Sequence, residues 1–360
     1  MKRILVLAYL RNNVGDDLFI NQLANRYPDT QFYVRVINKQ YIEPFEHNLN
    51  IVTVNVKEET FEHIDMEQYD ACIYMGGSIF MEGGKVYNLD EDCVQFIKDC
   101  KRNNKPFYYI SCNYGPYQTE KYFELSKQAF SNCTDICFRD LYSYQLFKDI
   151  NTIRYAPDLV FSYPIEKSII EEGTIGISLI DLEIRDDIKA KEQEYISFLS
   201  KNIKRYIAQG KKIYLFSFCQ YEGDENMVDK LRCVLTKEFE EQNIQVVQYN
   251  KNIELFLQKY SEMEYMICQR FHSIILSYIC KQKFYVISYS KKINNILEDL
   301  KIANSYMEFQ EIKEDKILDL KDFNEVDETK LNKIRKDAEK QFEAVDRYLK
   351  GYKINVRQNY

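Results

Sequence analysis

Three histidines occur in the 360 residues, and one of them, His272, stands two positions after Arg270 in the stretch Cys268-Gln269-Arg270-Phe271-His272-Ser273. A guanidinium is a planar fork suited to carboxylate or phosphate, and an imidazole can hold or release a proton near neutral pH. The preceding MIC is strand-like and the following IILSYIC is helix-like, so the pair is expected where a strand hands over to a helix. Ser273 is expected to open that helix, whose free N–H groups and dipole add positive potential to the same place. The combination describes a small-anion site with its own proton donor. The ordinary alternative is an arginine paired with a surface acid beside a helix-capping histidine; the strand-end position weighs against it. His47 and His63 lie in polar connecting stretches and are expected to face solvent.

Other candidate residues also fall at strand ends. In NNVGDDLF, Gly15 permits a tight turn and Asp16 and Asp17 open a helix, either as cap and dipole partners or, with Asn13, as groups that bind sugar hydroxyls and accept a proton. In MGGSIF, Gly76, Gly77 and Ser78 would let backbone N–H groups approach a phosphate or a sugar. The GxGxxG spacing is missing, so a dinucleotide site is not supported. Arg139-Asp140 reads equally as a buried ion pair or a site wall. In CQYEGDE, Glu222 and Asp224 would lie where a ligand meets a sheet, although acids before a helix are also ordinary caps.

The elements that must position these residues are short apolar strands alternating with amphipathic helices from the first residue onward, a pattern that favours parallel sheets covered on both faces. The polar break FSYPIEKSIIEEGT divides it, so three parts are expected: an N-terminal Rossmann-like domain over 1–165 on the acceptor side, a second such domain over 174–325 on the anion side, and a long C-terminal helix with a tail over 326–360. Net charge is −7 with Lys and Glu mixed along the chain, which argues against nucleic-acid binding. Ten cysteines without paired CxxC spacing are expected as reduced core thiols, no segment reads as a membrane span, and a cytoplasmic protein is expected. The tail, through Lys353 and Arg357, could rest peripherally on an anionic membrane surface.

Nine stretches in order, NNVGDDLF, YMGGSIF, SCNYGP, CFRDLYS, YAPDLVF, IGISL, SFCQYEGDE, QRFHSIIL and ISYSKKINNILEDL, resemble the polysaccharide pyruvyl transferase family over Asn12 to Leu300. The resemblance implies two Rossmann-like, doubly wound α/β domains in a GT-B-like arrangement. It also implies transfer of a pyruvyl group from phosphoenolpyruvate to sugar hydroxyls, usually as a cyclic ketal, on a surface-polysaccharide acceptor often carried by a lipid diphosphate. Arg270 and His272 match the family's R-x-H motif, which contacts phosphoenolpyruvate. Many members carry an arginine directly after the strand corresponding to IGISL, where this chain has Ile180; Arg185, five residues later, is expected to replace it. Lys292 is a further candidate for the phosphate, although it and Lys291 could equally be solvated helix-start lysines.

The expected chemistry has Arg270, His272, Ser273, Arg185 and Lys292 holding phosphoenolpyruvate, with His272 protonating the enol carbon. Asp16, Asp17 or Glu222 would take the hydroxyl proton, and Asn13, Gly76, Gly77, Ser78 and Glu222 would contact the acceptor. No cofactor is required, and a loosely bound divalent metal is compatible with the acidic residues. The rivals are a GT-B nucleotide-sugar glycosyltransferase and a non-catalytic glycan- or anion-binding protein.

Overall fold

Lys2–Ala8 (β1, KRILVLA) carries five consecutive buried residues, as a strand covered on both faces requires. The computed structural model describes residues 1–166 and 168–351, and the chain divides into two compact units. The first comprises Met1–Leu10, Phe19–Ser162 and the chain from Ile334; the second comprises Arg11–Leu18 and Tyr163–Lys333. The tail residues Lys353 and Arg357, and with them the membrane-surface expectation, lie outside the described residues.

The first unit continues with α1 (Val14–Arg26), whose first turn counts with the second unit, then β2 (Thr30–Val36), β3 (Ile51–Asn55), β4 (Ala71–Phe80), α2 (Glu91–Arg102), β5 (Phe107–Tyr114), α3 (Glu120–Phe130), β6 (Asp135–Phe138), α4 (Leu141–Phe147) and β7 (Ile153–Tyr155). Its seven strands are parallel in the order β3-β2-β1-β4-β5-β6-β7, so the winding reverses between β1 and β4. Side chains at helix starts do their expected work: Asp90, Thr119 and Asp140 accept hydrogen bonds from the first turns of α2, α3 and α4.

The second unit repeats the plan with β8 (Glu171–Ser178), α5 (Glu192–Ala208), β9 (Lys212–Ser217), α6 (Asp224–Val234), α7 (Thr236–Glu240), β10 (Ile244–Gln248), α8 (Ile253–Ser261), β11 (Met263–Cys268), α9 (Phe271–Cys280), β12 (Lys283–Ser288), α10 (Lys291–Leu300) and β13 (Tyr306–Glu308). Its six parallel strands run β10-β9-β8-β11-β12-β13, reversing between β8 and β11. In such sheets the crevice at the carboxyl ends of the strands beside the reversal is where ligands bind. Arg270 follows β11 and therefore stands at that point.

The C-terminal helix is present but divided. It begins at Glu328 (α11, Glu328–Ala338), tightens to a 3-10 turn over Glu339–Phe342 and resumes as α12 (Glu343–Lys350). The cause is tertiary: Arg154 donates to the carbonyls of Lys340 and Gln341, and the buried Gln341 side chain bonds to the backbone of Ser111 and Ala156. The Arg154 bonds occupy helix carbonyls at the break, and the Gln341 side chain ties that turn to the sheet.

All ten cysteines are free, and eight are buried. Burial pushes the Cys93 thiol up to about 12, which keeps it protonated and inert. Among the described residues no helix is long and apolar enough to cross a membrane.

Candidate active site

Arg270 is the N-cap of α9 and is 6% exposed. The helix thus opens at Phe271, two residues before the expected start. Ser273 lies inside the first turn with its hydroxyl fully engaged: it donates to the Arg270 carbonyl at 2.6 Å and accepts from Ser178 Oγ at 2.8 Å. Ser178, the last residue of β8, also accepts from the Gln269 and Arg270 N–H groups at 2.8 and 3.3 Å. Ser178 at the end of β8 and Ser273 in the first turn of α9 therefore fix the Arg270 backbone. Ser273 thus holds the Arg270 backbone in place.

The Arg270 side chain is fixed as firmly. Its Nε donates to Asp224 Oδ2 at 3.1 Å, Nη2 pairs with Asp224 Oδ1, and Nη1 pairs with Glu222 Oε2. Asp224 is fully buried and also accepts from the Phe218 and Cys219 N–H groups at 2.9 and 3.0 Å. Three of the five guanidinium N–H groups are thereby used.

Arg185 arrives at the same carboxylate. Its Nη2 lies 2.8 Å from Glu222 Oε2, and its guanidinium stands over the Tyr289 ring at 4.6 Å. Ile180, where many relatives of the resembled family carry arginine, is fully buried in the apolar core of this unit. Burial alone would raise the Glu222 carboxyl, but the positive charges of Arg270, Arg185 and Lys292 outweigh it and bring it down to about 2. Glu222 thus stays ionised and is a weak base. The structure places it with the arginines and does not support the expected role of Glu222 as acceptor of a hydroxyl proton. Lys292, in the first turn of α10, is half-buried and close enough for its charge to be felt at Glu222.

His272 is 8% exposed, whereas His47 and His63 are exposed. Its ring lies against Gly15 so closely that a Cβ there would fall 1.8 Å from Nδ1. Gly15 belongs to the first turn of α1, which packs in this unit: the Val14 N–H donates to the Phe218 carbonyl at 3.1 Å, and Asn13 pairs with Cys219 as an antiparallel bridge. Asn13 Oδ1 accepts from the Gly15 N–H at 3.1 Å, the capping role. The two adjacent acids differ. Asp16 is half-buried, whereas Asp17 is fully buried and receives the Tyr249 hydroxyl at 2.6 Å. Burial drives the Asp17 carboxyl well above the carboxylate range, against the lowering effect of Tyr249 and with help from Asp16. Burial and the Tyr249 hydroxyl thus set Asp17 apart from its more accessible neighbour.

Gly76, Gly77 and Ser78 belong to the first unit and not to this group. The expected turn after Met75 is instead strand: β4 runs through to Phe80 with Gly76 and Gly77 at φ of 56° and 78°. A Cβ on Gly76 would lie 2.3 Å from the Phe19 ring. Ser78 Oγ bonds Asn113 Oδ1 at 3.1 Å, Arg139 Nη2 reaches the same oxygen at 2.6 Å, and Arg139 Nη1 pairs with the buried Asp158 at 3.0 Å. The conspicuous Arg139 is therefore a buried ion-pair member.

Sequence reasoning noted Asp224 only as a strand-end acid and missed Tyr249. The EGDE run looks like a helix cap, and Tyr249 carries no local signal that it meets a residue more than 200 positions earlier.

The fold is built from two doubly wound parallel units, and solved structures of the GT-B fold resemble it. A Listeria monocytogenes protein classed as a UDP-N-acetylglucosamine 2-epimerase is similar at a TM-score of 0.62 with 9% identity, over 98% of this chain and 97% of that one. A glycosyltransferase from Rickettsia africae is similar at 0.56 with 10% identity, over 98% and 99%. These likenesses concern the fold alone. The chain belongs to the polysaccharide pyruvyl transferase family, whose family model matches residues 6–291. The amylovoran biosynthesis protein AmsJ of Erwinia amylovora is 22% identical over 276 residues, 70% of this chain; the chain spans 65% of the length of that relative.

Proposed function

We propose that this protein transfers the pyruvyl group of phosphoenolpyruvate to a sugar hydroxyl pair, as a cyclic ketal, in the biosynthesis of a surface polysaccharide. The observation that carries the reading is the convergence of Arg270 and Arg185 on one carboxylate, with His272 in the same first turn of α9. Phosphoenolpyruvate brings a carboxylate and a phosphate, and a pair of arginines with Lys292 nearby matches that charge. Family membership and the likeness to AmsJ support a role in exopolysaccharide assembly.

His272 gives a proton to the methylene carbon, and the first sugar hydroxyl adds to the neighbouring carbon while losing its proton to Asp16, the more accessible of the two adjacent acids. The C–O bond to phosphate then breaks, with the electron pair leaving on phosphate opposite the arginine and lysine charges. The second hydroxyl closes the ketal and gives its proton to the released phosphate, while Asp16 returns its proton to His272 through solvent. Atoms balance as one phosphoenolpyruvate and one diol giving one ketal and one inorganic phosphate. This chemistry requires no cofactor, since fixed cations serve the leaving group. Within the unit that holds Arg270, Asn13 is the candidate for acceptor contact; Gly76, Gly77 and Ser78 are separate candidates for a sugar contact in the first unit. A lipid-diphosphate-linked acceptor would place the work at a membrane surface.

Replacing His272 by Ala should lower phosphoenolpyruvate-dependent phosphate release by about 10²- to 10⁴-fold with an unchanged circular dichroism spectrum. Near-normal release by the folded variant would remove His272 from the chemistry.

A further inference from the structure

Glu222 and Asp224 are two residues apart and both meet Arg270, yet they are held differently. Asp224 is fully buried and accepts from two backbone N–H groups as well as from Arg270. Glu222 keeps 24% of its side chain exposed, and its contacts here are the two guanidinium groups, both on Oε2. It stands between Tyr221, which is 64% exposed, and Gly223, whose backbone sits at φ +75°. A Cβ at position 223 would lie 2.7 Å from Asp181 Oδ2, so the turn after Glu222 requires glycine. The Glu222 side chain has three rotatable bonds and, being part exposed, a route to water.

The charges point the same way. Arg270, Arg185 and Lys292 contribute three positive charges, Asp224 permanently offsets one, and Glu222 offsets one more. A carboxylate bridging two arginines presents the same group, in the same fork geometry, as the carboxylate of phosphoenolpyruvate. We infer that Glu222 is an internal anion that competes for the Arg185–Arg270 pair and is displaced by the carboxylate of the substrate, which makes it a specificity-determining residue of this site. This rests on the proposed function above.

A single-point anion must expel Glu222 for one gain, whereas phosphoenolpyruvate expels it with one group and places the other on remaining donors. The site therefore discriminates against inorganic phosphate. When phosphate has been released, return of Glu222 to the arginines favours its departure. The exchange is not opened by mild acid, since Glu222 ionises down to about pH 2.

The test is calorimetric titration of the wild-type chain, Glu222→Gln and Glu222→Ala with phosphoenolpyruvate, inorganic phosphate and pyrophosphate, with folding checked by circular dichroism. Both variants should bind inorganic phosphate about tenfold or more tightly than wild type, as loss of a charged competitor predicts, and the preference for phosphoenolpyruvate over phosphate should narrow. Unchanged or weaker anion binding by whichever variant folds would overturn the inference and make Glu222 an organiser of the arginines. Failure of all three anions to bind any form would overturn it equally. Tighter phosphate and pyrophosphate binding with no phosphoenolpyruvate binding in any form would uphold Glu222 as the internal competitor while refuting the pyruvyl-transfer reading.

Discussion

Asp16 and Asp17 are adjacent in sequence, yet half-burial against full burial separates their chemistry. Asp17, beside Tyr249, has its carboxyl raised well above 3.8 by burial. Below that value both folded and unfolded chains are protonated and Asp17 contributes nothing to pH dependence. As pH rises, the unfolded carboxyl ionises first, so the wild type progressively loses stability until the raised folded value is reached. Asp17→Asn keeps an acceptor for Tyr249 and removes that loss. Thermal melts should show the variant gaining on the wild type as pH rises above about 4. A constant difference across that range would mean that Asp17 is ionised in the fold. Arg270 and His272 were legible from sequence because a rare histidine and an arginine share a strand end. The roles of Asp224 and Tyr249 were not, since both depend on partners from other elements.

At the scale of elements, the first turns of α1 and α9 meet through Gly15 and the His272 ring. The glycine reads in sequence as a turn former, but here it is required because no Cβ fits. Gly15→Ala must push the imidazole or the turn aside, and overpacking of this kind costs about 1–3 kcal/mol. We expect the variant to remain folded by circular dichroism with a lowered melting temperature and turnover reduced toward that of the His272 variant; full activity would show that the imidazole position is not limiting. Alternating apolar runs made nearly every strand and helix legible. The continuation of β4 through Gly76 and Gly77 was not, because two glycines with positive φ look like the end of a strand. The break in the C-terminal helix was hidden for a different reason. Lys340 and Gln341 belong to an unbroken helical pattern, and only Arg154 and Ser111, distant in sequence, draw their backbone and side chain away.

Over the whole molecule, the chain order and the units do not coincide. The first unit is completed by the end of the chain: Arg26 pairs with Asp346 through Nη2 at 2.7 Å, Tyr348 donates to the Asp70 carbonyl at 3.0 Å, and Gln341 joins Ser111 to Ala156. Gln341→Ala would orphan a buried N–H and buried carbonyls, and should lower unfolding free energy by about 2–4 kcal/mol in urea titrations. A change within experimental error would show that water replaces the side chain. The second unit likewise takes Arg11–Leu18 from the start of the chain, which brings Asn13, Asp16 and Asp17 to the same unit as Arg270. The proposed pyruvyl transfer requires that anions be handled where β8, β9, β11 and β12 end. Its most direct test is to incubate the purified chain with phosphoenolpyruvate and a panel of lipid-linked or aryl galactosides and mannosaminides, and to read products by mass spectrometry alongside phosphate release. The expected product is a pyruvyl ketal adduct on one acceptor with one equivalent of inorganic phosphate. Nucleoside diphosphate release from a nucleotide sugar with phosphoenolpyruvate untouched would contradict it.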